Sequence, residues 1–225
     1  MKDYKIIEVK RSIFEDNDKD AEKLRMELAA QGTYLLNLMS SPGAGKTTTL
    51  KRTIAMLKNE LKIGIMEADI DSDVDAKAIS ETGARTIQIH TGGMCHLDAD
   101  MTRQGLREFG TEDLDFVVLE NVGNLVCPAE FDTGSTKNAM ILSVPEGDDK
   151  PLKYPLMFSV CDVALINKCD TLSVFDDFSK EAVEERIHQL NPKADVIFIS
   201  AKTGEGFEEW IGWIRKELKE YSNRI

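Results

Sequence analysis

The architecture of this chain follows from one short stretch, Ser40-Ser-Pro-Gly-Ala-Gly-Lys-Thr47. The apolar run over residues 34–39 precedes it and predicts a buried strand, and residues 48–61 carry apolar side chains at helical spacing. A glycine-bearing loop between a strand and a helix lets backbone N–H groups surround an anion, to which the helix N-terminus presents its positive dipole end. The stretch therefore predicts a phosphate-binding loop for a nucleotide.

The residues expected to hold the phosphates are consecutive: Gly43, Ala44, Gly45, Lys46, Thr47 and Thr48. Lys46 would reach the β- and γ-phosphates and the hydroxyl of Thr47 would ligate Mg²⁺, which gives both residues a catalytic role. Ser40 stands where the first glycine of this motif is usually found. We therefore expect the backbone of Ser40 to adopt dihedral angles that any residue can adopt.

The composition allows one well-cored α/β domain, because the chain has 225 residues of which 42% are hydrophobic. We expect residues 1–32 to form an N-terminal extension with a helix packed on the core, and residues 33–225 to form the nucleotide-binding domain. The formal net charge of -12 disfavours nucleic acid and anionic membrane surfaces, both of which reward basic patches.

Localisation is predicted from the absence of two signals in the sequence. No apolar run approaches the roughly 20 residues needed to span a bilayer, and the first five residues contain no signal-peptide core. We therefore expect a cytoplasmic protein. In a reducing compartment, the four cysteines of the chain are expected to be free thiols or metal ligands.

The chain alternates between strand and helix patterns along its whole length. Strands are predicted at 34–39, 62–66, 85–90, 114–119, 138–144, 163–167 and 194–200, and helices at 18–31, 48–61, 75–81, 96–109, 179–190 and 206–221. This alternation predicts an α/β fold with a mainly parallel sheet covered by helices on both faces. Ligands of such sheets bind at the carboxyl ends of the strands, so residues just after a strand are the candidate site residues.

The base of the nucleotide is predicted from Asn167-Lys168-Cys169-Asp170, which closes an apolar strand. A carboxylate such as that of Asp170 can accept hydrogen bonds from N1–H and the exocyclic amine of guanine, whereas adenine presents a mismatched edge. The stem of Lys168 would lie over the base and Asn167 would tie loops together. The short element Ser200-Ala201-Lys202 follows one strand later, and together these residues predict GTP and GDP as the ligands.

A carboxylate for Mg²⁺ is predicted at Glu120, which ends an apolar strand and is followed by Asn121-Val122-Gly123. A buried carboxylate without a metal or a partner is costly, which favours a Mg²⁺ role over a structural one. The N–H of Gly123 would sense the γ-phosphate. No glutamine follows Gly123 to orient the attacking water, so we expect slow intrinsic hydrolysis.

An alternating acidic run consists of Asp69, Asp71, Asp73 and Asp75. It is not a calcium loop, because the sixth residue is Val74 and the twelfth is Ser80. Loops after this strand often bring an acid to Mg²⁺ or to the attacking water. Asp69 and Asp75 are the candidates, and the spacing does not choose among the four aspartates.

A second kind of site is predicted from Cys95, His96 and Cys127. Thiolate and imidazole are ligands of Zn²⁺ and Ni²⁺, and Cys127 follows a neighbouring strand at the same edge of the sheet. Cys95 and His96 alone would more often be a packed cysteine and a capping histidine. Three ligands leave a site incomplete, so we expect a homodimer in which two copies share it. Cys161 and Cys169 are expected to be a core residue and a variable motif position.

Five segments together closely resemble the HypB family, GTPases that assist nickel insertion during maturation of nickel-iron hydrogenase. The segments are Ser41-Pro-Gly-Ala-Gly-Lys-Thr47, Asp69-Ile-Asp-Ser-Asp-Val-Asp75, Gly92-Gly-Met-Cys-His-Leu-Asp98, Glu120-Asn-Val-Gly-Asn-Leu-Val-Cys-Pro128 and Asn167-Lys-Cys-Asp170. The resemblance implies a P-loop GTPase of the SIMIBI class whose dimerisation is driven by GTP, with Cys95, His96 and Cys127 binding nickel or zinc at the interface. It also implies a HypA-like metallochaperone and the hydrogenase large subunit as partners.

Two alternatives compete with this interpretation. A urease accessory GTPase of the UreG type shares the architecture, but its metal motif reads Cys-Pro-His, whereas here Pro128 follows a separate cysteine. A metal-sequestering protein could instead use its nucleotide site only to regulate oligomerisation.

Lys150 and Lys153, in a polar loop predicted at 145–155, either contribute charge to the phosphates or are solvated lysines.

Overall fold

The computed structural model describes residues 9–69 and 74–224, with side chains described from Phe14 onward. The strands are β1 Tyr34–Ser40, β2 Ile63–Asp69, β3 Arg85–His90, β4 Phe116–Glu120, β5 Lys137–Ser143, β6 Val163–Asn167 and β7 Asp195–Phe198. The helices are α1 Val9–Gln31, α2 Lys46–Leu57, α3 Val74–Ser80, α4 Ala99–Phe109, α5 Cys127–Glu130, α6 Lys150–Lys153, α7 Pro155–Val160, α8 Lys180–Leu190 and α9 Phe207–Ser222. Within these two ranges, no helix is long and apolar enough to cross a membrane.

The seven strands form one sheet in the order β3-β2-β4-β1-β5-β6-β7, and every neighbouring pair is parallel. The predicted parallel α/β architecture is therefore confirmed. Parallel strands align their carboxyl ends along one edge, and β1, β2 and β4 bring Ser40, Asp69 and Glu120 to that edge. In the pairing of β2 with β4, Glu67 lies directly opposite Glu120.

Helices cover both faces of the sheet, because alternate side chains of each strand point to opposite sides. Leu36 and Leu38 of β1 belong to a cluster with side chains of α2 and α9, including Ile54 and Trp210. Leu35, between them in sequence, belongs to a different cluster with side chains of α1 and α4. The central strands are buried on both faces, which explains their nearly continuous apolar sequence.

Helix α1 packs on the sheet beside α4. Leu24 and Leu28 are 2% exposed and bury the apolar face of α1 against the sheet. Arg103 of α4 donates to the carbonyl oxygen of Asp20, with an N–O distance of 2.8 Å. The helix begins at Val9, so it is longer than the helix predicted from Asp18.

Two further features differ from the sequence prediction for identifiable reasons. Helix α4 was predicted from His96 but begins at Ala99, because Asp98 is its N-cap and accepts a hydrogen bond from the N–H of Met101 at 2.8 Å. His96 therefore lies in a loop. The polar loop predicted at 145–155 contains the helical turn α6, which has a proline near its first position.

Candidate functional site

The phosphate-binding loop is held in shape by two glycines and by the end of β6. Gly43 and Gly45 have φ values of 75° and 101°, a region in which side chains with a Cβ are strained. Asn167 donates to the carbonyl oxygen of Ala44 at 2.8 Å, and a Cβ on Gly45 would collide with its amide nitrogen. Lys168 donates to the carbonyl oxygen of Gly43 at 2.8 Å. The loop and the end of β6 are therefore one connected unit.

Ser40 is fully buried at the end of β1, where its hydroxyl accepts a hydrogen bond from Nζ of Lys46 at 3.0 Å. Among the described residues other than glycine, Lys168 alone has a positive φ. The expectation that Ser40 has ordinary dihedral angles is therefore confirmed. A serine at this position gives the ammonium group of Lys46 a hydrogen-bond partner at the end of β1.

Two clefts lie on either side of this loop and meet at Gly45 and Thr48. The phosphate cleft has a volume of about 600 Å³ and is lined by residues of the loop, of β2 and of the segment after β4, including Thr47 and Gly123. The base cleft has a volume of about 240 Å³ and is lined by residues that follow β6 and β7, including Asp170. Their shared rim suits a ligand with an anionic part and a flat part.

The base cleft is assembled by hydrogen bonds between its own residues. The hydroxyl of Ser200 donates to Asp170 at 2.7 Å, and the N–H of Ala201 donates to the side-chain oxygen of Asn167 at 3.0 Å. Lys202 lines the same cleft. The structure thus brings together every residue that the sequence predicted for recognition of the base.

The phosphate cleft contains a pair of buried carboxyl groups, those of Glu67 and Glu120, which are 3% and 1% exposed. One oxygen of each, Oε2, is buried without a hydrogen-bond partner. Thr47 donates to Oε1 of Glu120 at 3.2 Å. Burial, followed by the charge of Glu120, raises the pKa of Glu67 to about 11, and burial also raises the pKa of Glu120.

These carboxyl groups fit a divalent cation such as Mg²⁺. Oxygen atoms of Glu67, Asp75 and Glu120 lie within 4.8 Å of one another, and Mg²⁺ prefers oxygen ligands. A cation among them would give the two unpartnered buried oxygens a partner and would lower both pKa values. The sequence prediction missed Glu67, although a single acid inside the apolar run of β2 is a signal that could have been noticed.

The acidic run after β2 is only partly described. Asp69 ends β2 and lines the phosphate cleft, and Asp75 lies in the first turn of α3 and also lines it. Asp71 and Asp73 fall outside the described residues. Lys153 forms an ion pair with Asp149, Lys150 lies over the ring of Tyr154, and neither lysine lines a cleft of the nucleotide.

The cysteine–histidine site consists of Cys95, His96 and Cys127, whose ligand atoms lie within 4.8 Å of one another. His96 is 6% exposed, and its buried Nε2 has no hydrogen-bond partner. Burial lowers the pKa of His96, so the imidazole is neutral and free to ligate at neutral pH. The adjacent thiol of Cys95 raises the pKa of Cys127.

The topology corrects one premise of the sequence prediction. The strands that precede these ligands, β3 and β4, are not neighbours, because β2 lies between them. Both loops leave the carboxyl edge of the same sheet, the first leading into α4 and the second into α5. Cys161 and Cys169 are buried elsewhere, and burial raises their pKa values to about 12 and about 11.

The fold and the two clefts define a P-loop GTPase fold of the SIMIBI class. The signal recognition particle receptor FtsY from Elizabethkingia anophelis shares the fold, with a TM-score of 0.53 at 14% identity over 79% of this chain and 65% of that one. The CobW/HypB/UreG nucleotide-binding domain matches residues 34–198. The chain belongs to this family, and within it to the HypB proteins.

Two HypB proteins illustrate the similarity. The hydrogenase maturation factor HypB of Rhizobium leguminosarum bv. viciae is 44% identical over 214 residues, which covers 95% of this chain and 71% of that one. The crystal structure of HypB from Helicobacter pylori in complex with nickel superposes with a TM-score of 0.85 at 39% identity. That match covers 91% of this chain and 96% of the other.

Proposed function

We propose that the protein is a GTP-hydrolysing metallochaperone that binds nickel or zinc and assists nickel insertion during maturation of nickel-iron hydrogenase. The observation that carries this proposal is the placement of Glu120 and Cys127 on one segment, which joins the phosphate cleft to the cysteine–histidine site. The nickel complex of the Helicobacter pylori relative, and the description of the relatives as hydrogenase maturation factors, support the choice of cargo and process.

Recognition of guanine would rest on Asp170. Ser200 donates to one oxygen of this carboxylate, which orients the group, and the carboxylate can then accept from N1–H and the exocyclic amine of guanine. Lys168 is fixed over the loop by its bond to Gly43, so that its stem can cover the base. Adenine presents an acceptor where guanine presents N1–H, so ATP would leave the carboxylate facing a lone pair.

The phosphates would replace Ser40 as the hydrogen-bond partner of the ammonium group of Lys46. Thr47, Glu67 and Glu120, together with Asp69 or Asp75, would hold Mg²⁺. When bound, Mg²⁺ neutralises charge on the phosphate oxygens. The N–H of Gly123 is the proposed sensor of the γ-phosphate.

Intrinsic hydrolysis is proposed to be slow. Asn124 follows Gly123, and its side-chain oxygen already accepts a hydrogen bond from the N–H of Val126 at 2.8 Å. No glutamine stands at this position to orient an attacking water. Turnover would await closure of a loop or a partner chain around the phosphates.

The cysteine–histidine site offers three donors, whereas Zn²⁺ in a structural site and Ni²⁺ in a planar site take four. A homodimer formed in the presence of GTP would let two copies complete a shared site. A HypA-like metallochaperone and the hydrogenase large subunit are the proposed later recipients.

Metal and nucleotide are proposed to be coupled through the segment after β4. Gly123 lies against Pro42 of the phosphate-binding loop, such that a Cβ on Gly123 would be 3.3 Å from the proline. A shift of Gly123 on sensing the γ-phosphate would move Cys127. Linkage then requires that metal binding change nucleotide affinity in turn.

The test is a measurement of affinity and stoichiometry for Ni²⁺ and Zn²⁺ on the GDP and GTP-analogue forms, with oligomeric state followed by light scattering. The proposal expects dimers with the analogue and a metal affinity that differs between the two forms. Equal metal affinities in the GDP and GTP-analogue forms would contradict the proposed coupling between metal and nucleotide. GTP turnover is compared with that of Lys46→Ala, and a metal-binding protein whose turnover equals that of the variant would be a sequestering protein instead.

A further inference from the structure

The side chain of Asn17, on helix α1, bridges the two loops that carry the metal ligands. Its side-chain oxygen accepts a hydrogen bond from the N–H of Ala99 at 3.0 Å, three residues beyond His96. Its side-chain nitrogen donates to the carbonyl oxygen of Asp132 at 3.0 Å, five residues beyond Cys127. Asn17 therefore spans the gap between the loop after β3 and the segment after β4.

A second contact of α1 fixes the same segment. Arg25 makes two parallel hydrogen bonds to the carboxylate of Asp132, at 2.9 and 2.8 Å, and both side chains are 33% exposed. The same carboxylate accepts from the N–H of Gly134 at 2.9 Å. A bidentate pair of this kind fixes orientation as well as distance. The main chain of Asp132, to which Asn17 donates, is thus held from two sides.

Contacts among three rings connect α1 to the imidazole ligand itself, with one pair stacked and the other tilted. The ring of Phe131 lies flat against His96, with centroids 3.9 Å apart and planes 15° apart. Phe14 of α1 packs on Phe131 with centroids 4.9 Å apart. Phe131 follows α5 directly, and Cys127 is the first residue of that helix. The orientation of the imidazole is therefore set by the segment that carries the thiol and by α1 behind it.

We propose that helix α1 positions the cysteine–histidine site, with Asn17 as the positioning residue that sets the spacing between the two ligand loops. This inference rests on the proposed function, in which the site binds nickel or zinc. Metal–ligand distances vary by only about 0.2 Å, so a site formed by separate loops depends on what holds them. Partners hydrogen-bonded directly to metal ligands typically change affinity by about 10–100-fold when they are removed, and Asn17 acts on the ligand loops through their main chain, so we expect an effect at the lower end of that range.

Docking of α1 does not need Asn17, which makes the inference testable. Leu24 and Leu28 bury the apolar face of the helix in the core, and Arg103 ties the helix to α4. Substitution of Asn17 should therefore leave α1 in place and change the metal site. A residue that only stabilised the fold would change the melting temperature and not the metal affinity of the folded protein.

The experiment compares Asn17→Ala with Lys19→Ala in the full chain. Lys19 lies on the same helix, is 69% exposed on its side chain and pairs with Asp16. Affinity for Ni²⁺ is measured against a competing chelator, and the absorption band of thiolate bound to Ni²⁺ is recorded well below the melting temperature. We expect Asn17→Ala to bind Ni²⁺ about 10-fold more weakly with an altered band, and Lys19→Ala to match the wild type.

GDP affinity is measured on each variant and should be unchanged, which verifies that the nucleotide domain is folded. Phe131→Leu, which keeps the apolar contact but removes the flat ring, should also weaken Ni²⁺ binding. Wild-type affinity and an unaltered band in Asn17→Ala would overturn the positioning role while leaving the proposed function intact. A wild-type protein that shows no thiolate band with Ni²⁺ would instead overturn the proposed function, and the positioning role with it.

Discussion

The nucleotide clefts and the cysteine–histidine site are built differently. In the base cleft, the binding residues hold one another directly, as Asn167 does with Ala201 and Ser200 does with Asp170. In the cysteine–histidine site, Nε2 of His96 has no hydrogen-bond partner, and the supporting contacts come from Asn17 of α1 and from the ring of Phe131. The first arrangement is pre-organised, so the nucleotide clefts need little rearrangement when a ligand binds. The second offers three ligand atoms and leaves a position open, which is what the proposed transfer of a metal ion would require.

The largest expected effect tests whether the two sites are separable. Cys127→Ser removes a thiolate ligand and should weaken Ni²⁺ binding by more than the roughly 100-fold upper range known for outer partners. GDP binding should remain nearly intact, because Cys127 does not line either nucleotide cleft. Both affinities are obtained by titration of the same preparation. If GDP binding is lost as well, the variant is misfolded or the two sites are not separable.

The converse variant is Asp170→Asn, which acts on the base cleft alone. It removes the charge from two hydrogen bonds to guanine, and such charge-assisted bonds contribute about 1.5–3 kcal/mol each. We expect GDP affinity to fall by about 10–100-fold while Ni²⁺ affinity stays at the wild-type value. Fluorescent GDP displacement and chelator competition measure the two quantities. A parallel loss of Ni²⁺ affinity would show that the base cleft supports the metal site.

The pH dependence of metal binding should distinguish the thiol from the imidazole. The pKa of Cys127 is raised from 9.0, so its thiol is protonated at pH 7 and must release a proton to bind metal. Affinity should therefore rise about tenfold per pH unit for each proton released, between pH 7 and 8.5. The pKa of His96 is lowered from 6.5, so the imidazole adds no steepness in that range. Potentiometric titration of released protons should show one fewer proton in Cys127→Ser.

The smallest expected effect concerns the carboxyl pair of the phosphate cleft. The folded state keeps a proton on Glu67, whose pKa is raised from 4.5 to about 11, whereas the unfolded chain releases it. Between pH 4.5 and about 11 the native state therefore binds more protons than the unfolded chain. The free energy of unfolding falls as pH rises through this range. Glu67→Gln removes that penalty and should raise the melting temperature of the nucleotide-free protein, by about 2–4 °C per kcal/mol gained. The increase in melting temperature should be larger at higher pH.

The control for this prediction is Glu60→Gln. Glu60 is exposed and paired with Arg215, which lowers its pKa, so its substitution should not raise the melting temperature. Glu67→Gln should also weaken binding of GDP in the presence of Mg²⁺ relative to its absence. A variant with unchanged stability and unchanged Mg²⁺ dependence would remove Glu67 from the site.

Much of the fold was predictable because core strands such as β6 are short apolar runs, and because the edge strand β3 alternates apolar with polar residues. Residues 85–90 and 163–167 were predicted with the same bounds that β3 and β6 have in the structure. The helices α5, α6 and α7 were not predicted. They are four to six residues long, so they show no helical period, and tertiary contacts decide their conformation.

The sites were predictable where a motif is continuous in sequence and not where it depends on register. Asp170 and Lys46 lie in contiguous motifs and were identified directly. Glu67 becomes a partner of Glu120 only through the pairing of β2 with β4, which no local pattern shows. Asn17 lies more than 100 residues from Asp132, and its role depends on how α1 docks.

The segment between Glu120 and Cys127 has a consequence for how this protein can vary. Its ends are seven positions apart, and a chain of that length spans at most about 25 Å. One end is fixed by the sheet and the other by a helix turn, so an inserted or deleted residue is expected to change the position of Cys127 relative to Glu120. Substitution at an exposed position such as Val126 should be tolerated, whereas a change of length should not. The proposed coupling between the sites would then depend on the length of this segment as well as on its side chains.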